Sequence, residues 1–329
     1  MTEPAKPNGR AGQAPPSRLE MAARHFFGWV YTSTFAGLRR LPNDKAIVRA
    51  RMFSKIFIHA EEAFARRNIP LANDPERAPE IHAGRFEYLS RLHVHIAKFQ
   101  GTGRDGVLKQ VRTSGVEHLA AALAQGKGVL MVSAHAGTWW HVPAAAAALG
   151  HPVSSVLTQH LPNAIVRYLE QVARELECSL TFVRMGAYEG AKAAFRQKGI
   201  FYLSFDFASR SDRSIWMPVG DHAVLPVDTG PGVMAVRHQV PVVWVDTWHD
   251  EQGRSNVHFH PPIQTGKGSA FPTAVSVLDY FRARLADQLA LYPHQWWLLG
   301  HGQLKPLSEV PADPAFSSPP SASPDSLSA

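Results

Sequence analysis

The stretch GVLMVSAHAGTWWHVPAAAAALG, residues 128–150, decides how this chain folds. Five apolar or small residues, Gly128 to Val132, read as a buried strand, and Pro143 followed by five alanines reads as the first turns of a helix. Just past the strand comes one histidine, His135, then Gly137, Thr138 and two tryptophans, Trp139 and Trp140, before His141 leads into the helix. A histidine at a strand-to-helix turn is well placed to act as a base, because ligands of open α/β sheets bind beyond the carboxyl ends of the strands. A base needs a partner to hold it, and the next helical turn offers no carboxylate.

The same alternation continues on either side. Strand candidates are 128–133, 153–157, 180–184, 200–205, 241–246 and 256–260, with helical segments at 117–125, 142–149, 163–177, 188–197, 230–239 and 271–292. Strands alternating with helices predict an α/β fold, a mostly parallel central sheet flanked by helices. Residues 18–112 carry apolar positions at three-to-four spacing and form an N-terminal helical portion packed on the α/β core of 113–309, in one domain. Residues 1–17 are polar and rich in Pro and Gly, a disordered leader and not a signal peptide. Residues 310–329 are low in complexity and read as a disordered tail.

The chain has 329 residues, 45% of them hydrophobic, and a formal charge of +7 with a pI near 9.6. Acidic partners follow from that charge, but the basic residues are scattered and no nucleic-acid motif is visible, so nucleic acid is set aside. Cys178 stands alone, which rules out an intrachain disulfide, and reads as a small buried hydrophobe. No stretch reaches the ~20 apolar residues of a spanning helix. The nearest, HFFGWVYTSTFAGLRRLP at 25–42, combines aromatics with Arg39 and Arg40. It suits either a helix lying in an anionic membrane interface or one packed on its own domain.

Two further stretches hold candidate site residues. FYLSFDFASRSD, 201–212, ends a strand in Asp206, which can face the same crevice as His135; Arg210 follows in the loop. VLPVDTGPG, 224–232, places Thr229 and Gly230 at a helix start, where free N–H groups can hold an anionic oxygen or where a side chain simply caps the helix. The pairs His93/His95 and His258/His260 lack a third ligand, so no metal site is predicted.

Together these stretches resemble the lysophospholipid acyltransferase superfamily, in particular its lipid A biosynthesis (lauroyl/myristoyl) acyltransferase branch. The resemblance runs through VRTSGVEHLAAALAQGKGVLMVSAHAGTWW (111–140), GIFYLSFDFASRSDRSIWMPVGDHAVLPVDTGPGVMAVRHQVPVVWV (199–245) and YPHQWWLLGHGQLK (292–305). It implies transfer of a fatty acyl group from a thioester, acyl carrier protein or CoA, to a hydroxyl or amine of a lipid or small molecule. It also implies no bound cofactor and a cytoplasmic location, peripheral at the inner face of the cell membrane. His135 matches the family's catalytic histidine, while Thr229, Gly230 and Arg237 match its turn and following helix on the substrate side. The chain departs from the pattern in four places. The dyad acid, five residues after the histidine, is Trp140; the second aspartate near Asp206 is Ala208; the closing His-Arg-Arg reads Gly300-His301-Gly302; and the spanning anchor is missing.

Three readings stay open on this basis: acyl transfer with His135 as base, a catalytically silent relative that binds acyl chains or a carrier protein, and hydrolysis or cyclisation of a thioester. On the first, Asp206 replaces the lost acid as the partner of His135. Trp140 then walls an acyl channel together with Trp139 and Thr138, the N–H groups around Gly137 or the Thr229–Gly230 turn stabilise the oxyanion, and His135 lines the largest apolar crevice.

Overall fold

The opening motif forms β2 (Val129–Ser133), every residue of which is buried. It lies in the middle of a seven-stranded sheet of order β1-β9-β8-β2-β5-β3-β4. The others are β1 (Val111–Ser114), β3 (Val153–Leu157), β4 (Ser179–Phe182), β5 (Ile200–Ser204), β8 (Val242–His249) and β9 (Ser255–Phe259). In this computed structural model the described residues are 18–65, 78–157, 163–182, 186–207, 214–221, 223–300, 304–309 and 312–316. Strands β8, β2, β5, β3 and β4 run parallel, and β9 pairs antiparallel with β8 and parallel with β1. A strand covered on both faces has no polar side to show, which is why β2 and β5 are apolar runs and not alternating ones.

Helices α5 (Val116–Leu123), α6 (His141–Ala148), α7 (Asn163–Glu175), α8 (Ala187–Arg196), α9 (Gly230–His238) and α10 (Ala274–Leu291) cover the sheet. The core divides accordingly. Leu130, Val132, Phe201 and Trp244 pack towards α8, α9 and α10, while Val129, Met131, Ile200 and Val243 pack towards α6 and α7. The α/β expectation holds.

Three details differ from the sequence reading. The helical run before 112 closes with β1, so the sheet begins at Val111. Residues 214–228, absent from the strand candidates, form β6 (Ser214–Val219) and β7 (Ala223–Asp228), which with β10 (Lys305–Pro306) make a second, antiparallel sheet. Pro218 and Pro226 lie in these strands; Pro218 is tolerated because β6 is an edge. Past residue 309 the chain is ordered at 312–316: Asp313 N–H donates to Trp216 O at 2.9 Å and Phe316 is buried against the core. The leader, 1–17, lies outside the described residues.

Helices α1 (Arg18–Arg39), α2 (Asn43–Ala65), α3 (Ala78–Phe99) and α4 (Gly103–Gln110) precede the sheet. Phe35 and Leu38 of α1 are buried against Tyr88, Leu89 and Leu92 of α3, in one apolar cluster with Trp139. Phe35 and Leu38 of the aromatic stretch thus face inward, while Trp29 of α1 and Val48 and Met52 of α2 stay 64%, 60% and 70% exposed. Among the described residues no helix is long and apolar enough to cross a membrane.

Candidate active site

His135 lies two residues beyond β2 and Asp206 two residues beyond β5. These strands are parallel neighbours in register, Ser133 opposite Ser204, so both side chains emerge side by side at the carboxyl edge of the sheet. The Asp206 carboxylate is fully buried and accepts hydrogen bonds from His135 Nδ1 at 2.7 Å, from the His135 backbone N–H at 2.9 and 3.0 Å, and from Trp296 Nε1 at 2.8 Å. A carboxylate only accepts, so the imidazole proton sits on Nδ1 and the lone pair of neutral His135 is on Nε2. The His135 side chain is 20% exposed, and its ring is flanked by Trp139 at 5.5 Å, Trp297 at 5.8 Å and Phe207 at 6.0 Å. The result is a solvent-reachable imidazole in an aromatic surround, held at its back by a buried carboxyl group.

The turn is clamped by the segment after α10. Trp297 N–H donates to His135 O at 2.8 Å, Gly137 N–H to Gln295 O at 2.9 Å, and Ala136 bridges Trp296. From α3, Arg85 donates to the carbonyls of Trp296 (2.9 Å) and Trp297 (3.2 Å), and Tyr88 Oη to Gly137 O at 3.0 Å. Gly137 has φ +53°, and a Cβ there would stand 2.0 Å from Thr247 O, so only glycine serves.

These clamps overturn part of the substrate-side expectation. The Gly137 N–H is already used by Gln295, and the Thr138 N–H donates to Thr247 Oγ1 at 2.6 Å, so neither is available to an oxyanion. Thr138 Oγ1 also pairs with Ser255 Oγ, a buried position that sees no substrate. Thr229 and Gly230 do open α9, but no described contact ties that turn to His135. Arg237 is in the last turn of α9, its guanidinium 5.4 Å from the Tyr188 ring centroid, where it packs on α8. Arg210 and the adjoining residues 208–213 lie outside the described residues, as do 301–303. Two cavities, one between α1, the end of α3 and α7 and one between α1 and α2, do not reach His135. Trp139 does flank His135. Trp140 leans on the helical cluster beside Trp139, 6.0 Å between rings, and its Nε1 is buried with no partner among the described residues.

The remaining candidates are structural. Burial pushes the Cys178 thiol up to about 11, away from a nucleophile's range. His260 donates to Asp246 at 2.7 Å and His258 meets Ser114 Oγ at 2.9 Å. His93 meets Ser54 Oγ at 3.2 Å. Among the described residues no three His, Cys, Asp or Glu side chains converge as a metal would require. The sequence reading missed Arg85, Tyr88, Gln295, Trp296 and Trp297. Their available signal was the Gln-Trp-Trp of 295–297 inside a family-like segment, read there as motif and not as structure.

No curated protein matches the chain. Among solved structures, the 1-acyl-sn-glycerophosphate (LPA) acyltransferase PlsC from Thermotoga maritima is similar, with 15% identity over 82% of this chain and 98% of that one and a TM-score of 0.36. A family model described as bacterial lipid A biosynthesis acyltransferase matches residues 17–305, which takes in His135, Asp206 and the Gln295–Trp297 clamp, and the chain belongs to that family.

Proposed function

We propose that the protein transfers a fatty acyl group from a thioester, carried by acyl carrier protein or CoA, to a hydroxyl or amine of a lipid or small-molecule acceptor, with His135 as the general base. The observation that carries this reading is the 2.7 Å contact between His135 Nδ1 and Asp206, which leaves Nε2 with its lone pair turned to an exposed, aromatic-walled face. Nε2 takes the proton as the acceptor oxygen or nitrogen attacks the thioester carbonyl. The imidazolium, held by Asp206, then returns that proton to the departing thiolate as the C–S bond breaks. Asp206 supplies from β5 what the family's dyad acid would supply from the position of Trp140. No metal or resident cofactor enters these steps.

The direct test follows free thiol. Acyl-CoA or acyl carrier protein is mixed with the full chain and candidate acceptors, and thiol release is read with a chromogenic reagent alongside mass analysis of the acceptor. Release that depends on an acceptor and yields acylated acceptor supports transfer. Release without acceptor points to hydrolysis instead, and acyl binding without release to a silent relative.

The site also works from a membrane surface on this reading. Trp29, Val48 and Met52 present apolar side chains on α1 and α2 amid Arg39, Arg40, Lys45 and Arg49, the combination an interfacial helix pair needs. The full chain is expected to sediment with vesicles containing anionic phospholipid and to be released by salt. The triple variant Trp29→Ser, Val48→Ser, Met52→Ser should lose most of that binding without losing the fold. Equal sedimentation of the triple variant would place the contact elsewhere.

A further inference from the structure

Away from His135, a cavity of about 650 Å³ opens between the C-terminal halves of α1 and α3 and the helix α7. Its floor is apolar: Phe35, Ala36, Ala97 and the ring of Tyr168, with Phe35 and Tyr168 edge to face at 6.0 Å. Its rim is cationic. Arg39 and Arg40 come from the end of α1, while Arg167 and Arg174, two helical turns apart, come from one face of α7. Glu170 is the one carboxylate among the lining residues. The Arg39 guanidinium donates to Gln100 Oε1 at 3.0 Å, whereas the guanidinium groups of Arg40, Arg167 and Arg174 make no hydrogen bond or ion pair among the described residues.

Four guanidinium groups around one depression repel one another, and the two carboxylates nearby, Glu170 in the lining and Glu175 held by Gln171 and the Gly101 N–H, leave the rim net positive. Such a rim is complementary to a group with several anionic oxygens, which guanidinium forks grip in pairs. The apolar floor beneath it excludes a fully hydrated ion as the natural occupant and favours an anion attached to an uncharged chain. The cavity is also connected to the proposed site. Phe35, Tyr168, Trp139 and Trp140 belong to one apolar cluster, and Trp139 flanks His135.

We propose that this cavity binds the phosphate-bearing end of one of the two substrates, the phosphate on the arginine rim and the attached chain on the Phe35–Tyr168 floor. The inference rests on the acyl-transfer reading, in which donor and acceptor both carry such a group: a phosphopantetheine-type ester on the donor, a phospholipid-type headgroup on the acceptor.

The test is calorimetric binding to the full-length His135→Ala protein, which cannot turn substrate over, with CoA and with dihexanoyl phosphatidic acid as separate probes. The controls are their phosphate-free counterparts, pantetheine and dihexanoylglycerol. One phosphate-bearing probe is expected to bind, its affinity falling with added salt. The double variant Arg167→Gln, Arg174→Gln, on exposed helix positions, should weaken it at least tenfold with an unchanged melting temperature. Binding of CoA assigns the cavity to the donor and binding of phosphatidic acid to the acceptor. The proposal is overturned if neither probe binds, if the phosphate-free controls bind as well, or if the double variant binds like its parent. In the protein with His135 intact, the double variant should raise KM for the assigned substrate with little change in kcat. Binding without any acyl transfer would sink the functional reading and leave the site standing; transfer indifferent to the double variant would do the reverse.

Discussion

Asp206→Asn is expected to lower acyl transfer by about two to four orders of magnitude, mostly in kcat, in a protein that still folds. The reason is a count of donors. The carboxylate accepts from His135 Nδ1, the His135 backbone N–H and Trp296 Nε1, and the last two can only donate. An asparagine amide brings one oxygen and two N–H groups to the same place. If its oxygen serves the backbone and Trp296, its N–H faces His135 Nδ1, the ring must accept there, and the proton moves to Nε2. That nitrogen is the one that has to receive the acceptor's proton, so the base is lost with the geometry intact. If the amide turns the other way, Trp296 Nε1 is buried without a partner, at a cost of about 1–3 kcal/mol. Either way a smaller loss of stability accompanies a large loss of rate, and His135→Ala should abolish transfer while leaving both the melting temperature and acyl-chain binding near the parent's. Turnover of the Asp206→Asn protein within tenfold of the parent would remove Asp206 from the mechanism, and transfer left unchanged by His135→Ala while acyl-chain binding persists would make His135 a relic.

Why that pair was legible, and its surroundings were not, comes down to range. Two apolar runs that each end in a single polar residue announce parallel strands with side chains at the carboxyl edge, and only their adjacency had to be supplied by the fold. The clamp on Gly137 is different in kind. Its partner, Gln295, is far along the chain, and Arg85 reaches Trp296 across 211 residues. Nothing local says that the amides of a glycine turn are already taken, so they were misread as oxyanion donors. Trp296 and Trp297 suffered from their own chemistry. A tryptophan pair reads as core, and both do pack, yet each also presents an N–H that holds the site: Trp296 by its indole on Asp206, Trp297 by its backbone on His135. The second sheet was absent from the strand candidates, and both its long strands carry a proline, a residue that argues against a central strand but is tolerated at an edge such as β6.

The behaviour in acid depends on a second group of histidines, and lowering the pH from 7 to 5 is expected to cost the fold several kcal/mol. Behind the Gly137 turn, His95 of α3 stacks on His249 of β8 at 4.8 Å and meets His141 of α6 edge-on at 5.5 Å. Desolvation holds His141 and His249 well below the ordinary histidine range, with the neighbouring His95 lowering each further; Arg91, His141 and His294 also act on His249. His95 is lowered too, and His93, elsewhere on α3, is pushed down to about 4 by burial. Both ring nitrogens of His249 are buried without a partner among the described residues, so an imidazolium there has nothing to offset its desolvation. All these groups are depressed in the folded state, so below the ordinary value of 6.5 the unfolded chain binds more protons than the folded one. Stability is therefore full above that value, falls as the pH drops through it, and goes on falling until the folded-state values are reached. For His93 alone the loss at pH 5 is about 2 kcal/mol, and His141 and His249 act in the same direction. Against a typical total of about 5–15 kcal/mol that is a large share. Thermal melts at pH 7.5, 6.5, 5.5 and 5.0 should show a steep fall, and His249→Met should make it shallower by about one proton's worth of slope. The seam that yields is the one behind the site: the His249 backbone N–H donates to Gln295 Oε1 at 2.8 Å, and Gln295 O holds Gly137. Acyl transfer and melting temperature should accordingly decline together in acid, and a melting temperature that stays flat from pH 7 to pH 5 would mean these imidazoles are not held neutral by burial.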